Sequence, residues 1–222
     1  SKRRNDPSGK VLTAVKKKIA EAETALREGF NSAVDKNNVL ETLKKIGKMW
    51  KNDADAEMAK NELLECVRDT AEVQVPIVII HPYIGFGKND GPTACGIENF
   101  REVVNEARKG GVKIAFENVE GEEFLSALMD AFKDDENVGF CWDSGHELCY
   151  NRGKDMLALY GDRLIATHLN DNLGIRDFGG KITYIDDLHL LPFDGIADWQ
   201  GIADRLDRIN YSGELTFELT IA

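Results

Sequence analysis

The sequence lacks any apolar run near the ~20 residues that a membrane-spanning helix needs, and it shows no secretory signal pattern. Cysteine is scarce, with four residues and no C-x-x-C pair. This usage favours reduced thiols over a disulfide framework. We therefore predict a cytoplasmic protein without a membrane segment.

An excess of basic charge is also missing. Asp and Glu number 39 against 28 Lys and Arg, which gives a formal net charge of −11. Such a charge disfavours a nucleic-acid partner, although a local basic groove would escape a count over the whole chain. The 222 residues suffice for one large or two small domains, and we predict a single domain over residues 1–222.

Strand signals are missing from the first third of the chain, where helical spacing predicts helices over Val11–Arg27, Val39–Trp50 and Asp53–Thr70. From residue 73 onward, β-branched runs alternate with helical stretches. The predicted strands are Val75–Ile80, Val112–Phe116, Val138–Trp142, Leu164–Thr167 and Leu215–Phe217. The predicted helices between and after them are Ile97–Arg108, Glu122–Phe132, Asp155–Tyr160 and Ile196–Ile209. This alternation indicates an α/β fold with a parallel sheet and helices outside it.

A side chain of metal-ligand type stands at the end of every predicted strand. These residues are His81, Glu117, Asp143, His168 and Glu218. In a (β/α) barrel, the carboxyl ends of the strands build the active site. Strand ends that lie one βα unit apart are neighbours around the barrel, so we expect these side chains to face a common cavity.

Each of these residues has an ordinary explanation when it is taken alone. Asp143 could cap a helix, and a single histidine is more often a hydrogen-bonded loop or core residue than a ligand. A carboxylate directly after an apolar strand, such as Glu117 or Glu218, is rarely buried without a partner. A salt bridge or a basic substrate group would supply that partner, and so would a metal ion. Taken together, the residues favour a divalent metal site.

Six short motifs at these strand ends resemble one family. They are I-I-H-P at 79–82, F-E-N at 116–118, W-D-S-G-H at 142–146, H-L-N-D at 168–171, D-L-H-L-L-P at 187–192 and F-E-L at 217–219. Their order resembles that of the xylose-isomerase-like TIM barrels, which include sugar isomerases, epimerases and endonuclease IV. The resemblance implies a (β/α)8 TIM barrel. Its first two strands are not recognisable and no helix follows Glu218, so the barrel is either incomplete or represented here without those parts.

The resemblance also implies roles for individual residues. The four-ligand divalent site of the epimerases corresponds to Glu117, Asp143, His168 and Glu218, with Glu117 and Glu218 also moving protons. In the epimerases, His146 corresponds to a residue that contacts substrate. In endonuclease IV, further zinc ligands correspond to His81, His146, Asp187 and His189, which leaves a second site at His146, Asp187 and His189 open.

The leading prediction is a divalent-metal-dependent sugar or sugar-phosphate isomerase or epimerase that acts through an enediolate. The ion could be Mn²⁺, Zn²⁺, Mg²⁺ or Co²⁺, because the ligand set suits each of them. The expected substrate contacts are His146, His81, Trp142 and Arg176, although an ordinary solvated loop charge is the favoured interpretation of Arg176.

Two other functions stay open. One is an endonuclease IV-like zinc phosphodiesterase acting on abasic DNA, and the other is a non-catalytic sugar-binding or scaffold protein. A homo-oligomer is also left open.

Overall fold

A computed structural model describes residues 47–84, 90–175 and 185–220. Within these ranges, four parallel strands lie side by side in chain order. They are β1 (Ile77–Ile80), β2 (Lys113–Glu117), β3 (Val138–Asp143) and β4 (Leu164–His168). The register places Glu117 opposite Cys141, and Asp143 opposite His168. Because the strands are parallel, all their carboxyl ends meet at the same edge of the sheet.

Helices connect the strands and cover one face of the sheet. They are α1 (Ala54–Glu72), α2 (Ala94–Gly110), α3 (Glu122–Ala131), α4 (Ser144–Cys149), α5 (Met156–Tyr160) and α6 (Trp199–Arg208), with 3-10 turns at Gly47–Trp50 and Gly161–Arg163. The helix ends follow from the sequence: Asp53 caps α1, Thr93 caps α2, and Gly111 ends α2 at a φ of 70°. No helix in the described ranges is long and apolar enough to cross a membrane.

The two-residue period of the strands separates the core from the site. Phe116 meets Phe100 of α2 with ring centroids 5.6 Å apart, and Phe140 meets Tyr160 of α5 at 5.4 Å. These outward-facing aromatic side chains form the core between the sheet and the helices. The alternate residues Glu117 and Asp143 face the inner side and are fully buried.

The predicted order of strands and helices is found in the described ranges, with ends shifted by a few residues. The first predicted helix, Val11–Arg27, lies outside the described residues. So does Val39–Trp50 except for its last four residues, which form a 3-10 turn.

The structure differs from the prediction in two places. A short helix that was not predicted, α4, begins at Ser144 directly after β3. The last predicted strand is reduced to one parallel bridge between Phe217 and Leu169. Backbone hydrogen bonds from Leu169 to Thr216 at 2.8 Å and from Glu218 to Leu169 at 3.3 Å still attach this segment beside β4.

Candidate active site

Four side chains from four successive segments converge at the carboxyl edge of the sheet. Glu117 ends β2, Asp143 ends β3, His168 ends β4, and Glu218 follows the bridge at Phe217. One ligand atom from each lies within 4.8 Å of the others. The in-register parallel pairing is what brings residues so far apart in the sequence to one place.

Glu117 lies at the centre of this first cluster, which consists of Glu117, Asp143, His168 and Glu218. Its Oε2 is 3.1 Å from Nδ1 of His168 and 3.3 Å from Nε2 of His81, and its Oε1 is 3.1 Å from Nδ1 of His146. Oε2 of Glu218 is 2.9 Å from Nδ1 of His168. Ligand-type atoms therefore crowd around one point from several directions.

Several of these atoms have no hydrogen-bond partner. Among the described residues, this holds for both carboxylate oxygens of Glu117, Nδ1 of His168 and Oε2 of Glu218, all of which are buried. Buried polar groups without a partner cost free energy, and a cation held between them would remove that cost. Carboxylate oxygens with one imidazole suit Mn²⁺, Mg²⁺, Co²⁺ or Zn²⁺, so the cluster fits a divalent ion.

The pKa values report the same crowding of charge. Burial alone would lower the pKa of His168, but the carboxylates of Glu117 and Glu218 raise it to about 10. Burial opposes ionisation of Glu117, yet the neighbouring histidines hold the pKa of this carboxyl well below its usual range. Burial raises the pKa of Asp143 to about 6, against the opposing effect of His146. The charges of the first cluster and of the histidines beside it therefore influence one another strongly.

Asp143 has two roles that the sequence left as alternatives. Its Oδ1 accepts a hydrogen bond from the backbone N–H of His146 at 2.6 Å and so caps α4. Its Oδ2 accepts from Nδ2 of Asn170 at 2.8 Å and belongs to the first cluster. The capping interaction orients the carboxylate that the cluster uses.

A second cluster lies beside the first and consists of His146, Asp187 and His189. Nε2 of His146 is 3.1 Å from Oδ2 of Asp187, and Nε2 of His189 is 2.9 Å from Oδ1 of the same carboxylate. Burial opposes ionisation of Asp187, but the two imidazoles lower the pKa of its carboxyl, and Asp187 in turn raises the pKa of His189 to about 9 despite burial.

Backbone carbonyls orient both histidines of the second cluster. Nδ1 of His146 lies 2.9 Å from the carbonyl oxygen of Asn118, and Nδ1 of His189 lies 3.2 Å from that of Glu218. An imidazole that donates from Nδ1 to a carbonyl keeps its Nε2 lone pair available for a metal. The second cluster therefore also fits a divalent ion.

Tyr150 was not anticipated from the sequence. It follows α4, four residues after His146, and the two rings are 5.0 Å apart. Burial, followed by the charge of Asp187, raises the pKa of the Tyr150 hydroxyl, which keeps the phenol neutral. The i, i+4 spacing on a helix was the signal that could have indicated this neighbour.

One expected substrate contact is not brought to the site, and another lies outside the described residues. Trp142 is fully buried, donates from Nε1 to Glu147 at 2.9 Å and stacks under the guanidinium of Arg205 at 4.8 Å. It lies on the helix side of β3 because Asp143, the next residue, faces inward, so its expected contact with a sugar is wrong. Arg176 lies outside the described residues.

Comparison by sequence identifies the family to which the chain belongs. Residues 4–221 match a family model described as the xylose isomerase-like TIM barrel. A protein of Sinorhizobium fredii (strain NBRC 101917 / NGR234), known as uncharacterized protein y4fM, is 31% identical over 186 residues. The match covers 76% of this chain and 54% of that protein, so the chain spans about half the length of this curated relative.

Comparison by structure identifies the fold. A D-tagatose 3-epimerase-like protein superposes with a TM-score of 0.58 at 21% identity, over 77% of this chain and 65% of that chain. The IOLI protein with a binding zinc atom superposes with a TM-score of 0.62 at 20% identity, over 76% of this chain and 63% of that chain. A xylose isomerase domain protein from Planctomyces limnophilus superposes with a TM-score of 0.62 at 17% identity, over 86% of this chain and 68% of that chain. With the strand order described above, these likenesses confirm the predicted TIM-barrel fold.

Proposed function

Because the chain belongs to the xylose isomerase-like TIM barrel family, we propose that it is a divalent-metal-dependent isomerase or epimerase of a small sugar or sugar phosphate. The observation that carries this proposal is the first cluster, in which buried atoms of Glu117, His168 and Glu218 converge without hydrogen-bond partners among the described residues. A D-tagatose 3-epimerase-like protein has the same fold, which supports the choice of substrate class.

The carboxylates of the first cluster suit a proton transfer at carbon. A divalent ion held by Glu117, Asp143, His168 and Glu218 would polarise a carbonyl and stabilise the negative charge that develops on it. Glu117 comes from the end of β2, whereas Glu218 comes from beyond β4, so the two carboxylates approach from different segments. One of them would take the proton from the carbon beside the carbonyl, and the other would return a proton.

The neighbouring histidines would bind and orient the sugar. His81 is the more exposed of the two, with 24% of its side chain accessible, whereas His146 is 2% accessible. An imidazole at that edge would hold a hydroxyl group and so orient the reacting carbon toward the carboxylates of the first cluster. Sugar hydroxyls and imidazoles both donate and accept hydrogen bonds, which makes this contact adaptable.

Exchange with solvent deuterium tests the proposal directly. The protein would be loaded with Mn²⁺, Co²⁺ or Zn²⁺ and incubated in D₂O with a panel of ketoses, aldoses and their phosphates. We expect deuterium on a carbon next to the carbonyl of at least one sugar, detected by NMR or mass spectrometry. Failure of every metal-loaded sample across the whole panel would contradict an isomerase or epimerase.

The second cluster favours one alternative, a zinc phosphodiesterase like endonuclease IV. His146, Asp187 and His189 each offer a ligand atom within 4.8 Å of the others, and a proton transfer at carbon does not require this second group. If this alternative is right, the zinc-loaded protein cleaves a DNA duplex at an abasic site, and His189→Ala abolishes cleavage. If the isomerase proposal is right, His189→Ala lowers deuterium exchange far less than Glu218→Gln does.

A further inference from the structure

The motif H-L-N-D at 168–171 contains two residues to which the proposed chemistry assigns no part. We propose that Asn170 and Asp171 are positioning residues for two different clusters: Asn170 orients Asp143 in the first cluster, and Asp171 holds the segment that carries His189 in the second. The metal-binding part of this inference rests on the function proposed above for the first cluster, and on the fit of the second cluster to a divalent ion.

Asp171 joins the end of β4 to the following loop. It is fully buried, and four donors reach its carboxylate. Oδ1 accepts from the backbone N–H groups of Asn172 at 2.8 Å and Ala197 at 2.9 Å. Oδ2 accepts from the N–H of Phe193 at 2.9 Å and from Nε1 of Trp199 at 2.8 Å. A buried carboxylate with this many partners has a single position.

His189 depends on this attachment. Asp171 and Leu190 exchange backbone hydrogen bonds at 2.9 and 2.8 Å, one residue from His189. His189 and Phe193 have positive φ angles of 47° and 76°. Such left-handed conformations are unfavourable for residues other than glycine and persist only when surrounding contacts impose them. The carboxylate of Asp171 supplies such contacts within the same loop.

Asn170 points the other way, toward β3. Its Nδ2 donates to Oδ2 of Asp143 at 2.8 Å, and its backbone N–H and C=O both bond the hydroxyl of Ser144, at 3.0 and 2.7 Å. A Cβ added at Gly145 would lie 1.8 Å from Oδ1 of Asn170, so the start of α4 is shaped around this amide. Successive side chains of extended backbone face opposite sides, which is why two adjacent residues serve different clusters.

Titration with Co²⁺ tests the division of roles, and each variant is the control for the other. We expect two ions per wild-type chain. Asp171→Asn keeps the shape of the side chain but loses two acceptor positions. It should therefore lower the Co²⁺ affinity of the second cluster ~10–100-fold and leave the affinity of the first cluster unchanged. Asn170→Ala should lower the Co²⁺ affinity of the first cluster and leave that of the second cluster unchanged. Equal weakening of both ions in either variant, or no change in both, would overturn the proposal.

A second measurement does not depend on metal. The chain has four histidines, so long-range ¹H–¹⁵N spectra can be assigned with single His→Gln variants. Without metal, Asp171→Asn should shift the ring signals of His189 and leave those of His168 in place. Unchanged His189 signals would contradict a positioning role. Shifted signals in a protein that binds no Co²⁺ would instead refute the metal-dependent function while leaving the role of Asp171 intact.

Trp199→Phe serves if Asp171→Asn does not fold. It removes only one of the four donors to Asp171 and keeps an aromatic ring in the core. We expect a smaller effect in the same direction, with weaker binding of the second ion and a displaced His189 signal. An unaltered second ion together with an unaltered His189 signal would count against Asp171 as the residue that positions this loop.

Discussion

At the residue scale, the main feature is a fully buried carboxylate that has imidazole neighbours but accepts no hydrogen bond from the described residues. Glu117 contacts His81, His146 and His168 at 3.1–3.3 Å, yet neither of its oxygens has a hydrogen-bond partner in the described ranges. A carboxylate that only stabilised the fold would be expected to accept hydrogen bonds. This lack of partners supports the proposal that Glu117 is a metal ligand.

Glu218→Gln separates binding from proton transfer. The amide oxygen can still coordinate an ion, but the amide cannot act as a base. We expect deuterium exchange to fall by ~10²–10⁴-fold even with excess metal, because that is the typical contribution of one general base. Glu214 lies four residues earlier in the chain and is exposed, so Glu214→Gln is the control and should keep full deuterium exchange. A loss of only a few-fold in Glu218→Gln would not fit the assigned role.

Asp143→Ala tests the first cluster against the cost of losing a helix cap. Asp198 caps α6 by accepting from the N–H of Gly201 at 2.9 Å, so Asp198→Ala removes a comparable cap away from both clusters. Each variant should lose ~1 kcal/mol in the free energy of unfolding. Only Asp143→Ala should also lose bound metal, measured by elemental analysis after dialysis. Equal metal content in the two variants would remove Asp143 from the site.

At the scale of elements, the junction between β3 and α4 is the critical one. The helix starts directly where the strand ends, so Asp143 is both the last residue of the strand and the cap of the helix. Gly145, at the second position of α4, packs against the side chain of Asn170. This close approach leaves no room for a side chain and fixes how α4 carries His146 into the site.

Gly145→Ala should therefore damage both stability and metal binding. The added methyl group would overlap Oδ1 of Asn170, and relief of that overlap has to move Asn170 or α4. We expect a loss of ~1–3 kcal/mol in the free energy of unfolding, together with weaker metal binding at the first cluster. Gly91→Ala is the matched control, since a Cβ there meets no atom within 4 Å among the described residues. A Gly145→Ala variant as stable as Gly91→Ala would contradict the packing described.

At the scale of the whole molecule, the clusters connect stability to pH. The pKa values of His168 and His189 rise from an ordinary 6.5 to about 10 and about 9 in the folded chain, where burial opposes protonation and the adjacent carboxylates favour it. A raised pKa contributes stability that is fully present below about pH 6.5 and is lost as pH rises through the folded value. The metal-free protein should thus be less stable in mild alkali than near neutrality.

Thermal unfolding in EDTA between pH 6.5 and 10 measures this dependence. We expect Tm to fall across the range, and saturating Mn²⁺ to reduce the fall, because an ion replaces the protons as the counter-charge to the carboxylates. His189→Gln should show a shallower fall in EDTA, since one of the groups with a raised pKa is removed. A Tm that does not change with pH in EDTA would contradict the raised pKa values.

The sequence by itself determined the order of the elements and the kinds of residue at the strand ends. The β-branched runs, the capping residues Asp53 and Thr93 and the stop at Gly111 are local signals, and the structure follows them within a few residues. Parallel pairing then implies a shared edge for Glu117, Asp143 and His168 without further information. The period of two along β3 also implies that Trp142 faces outward when Asp143 faces the site, which argues against the predicted contact of Trp142 with substrate.

Only the tertiary structure decided how the second cluster is assembled. Asp187 and His189 come from a loop without a periodic pattern, and their approach to His146 depends on contacts with distant segments. The tautomers of His146 and His189 depend on the backbone carbonyls of Asn118 and Glu218, which carry no sequence signature because every residue has a carbonyl. Long-range geometry of this kind follows from packing, whereas local propensity sets where strands and helices begin and end.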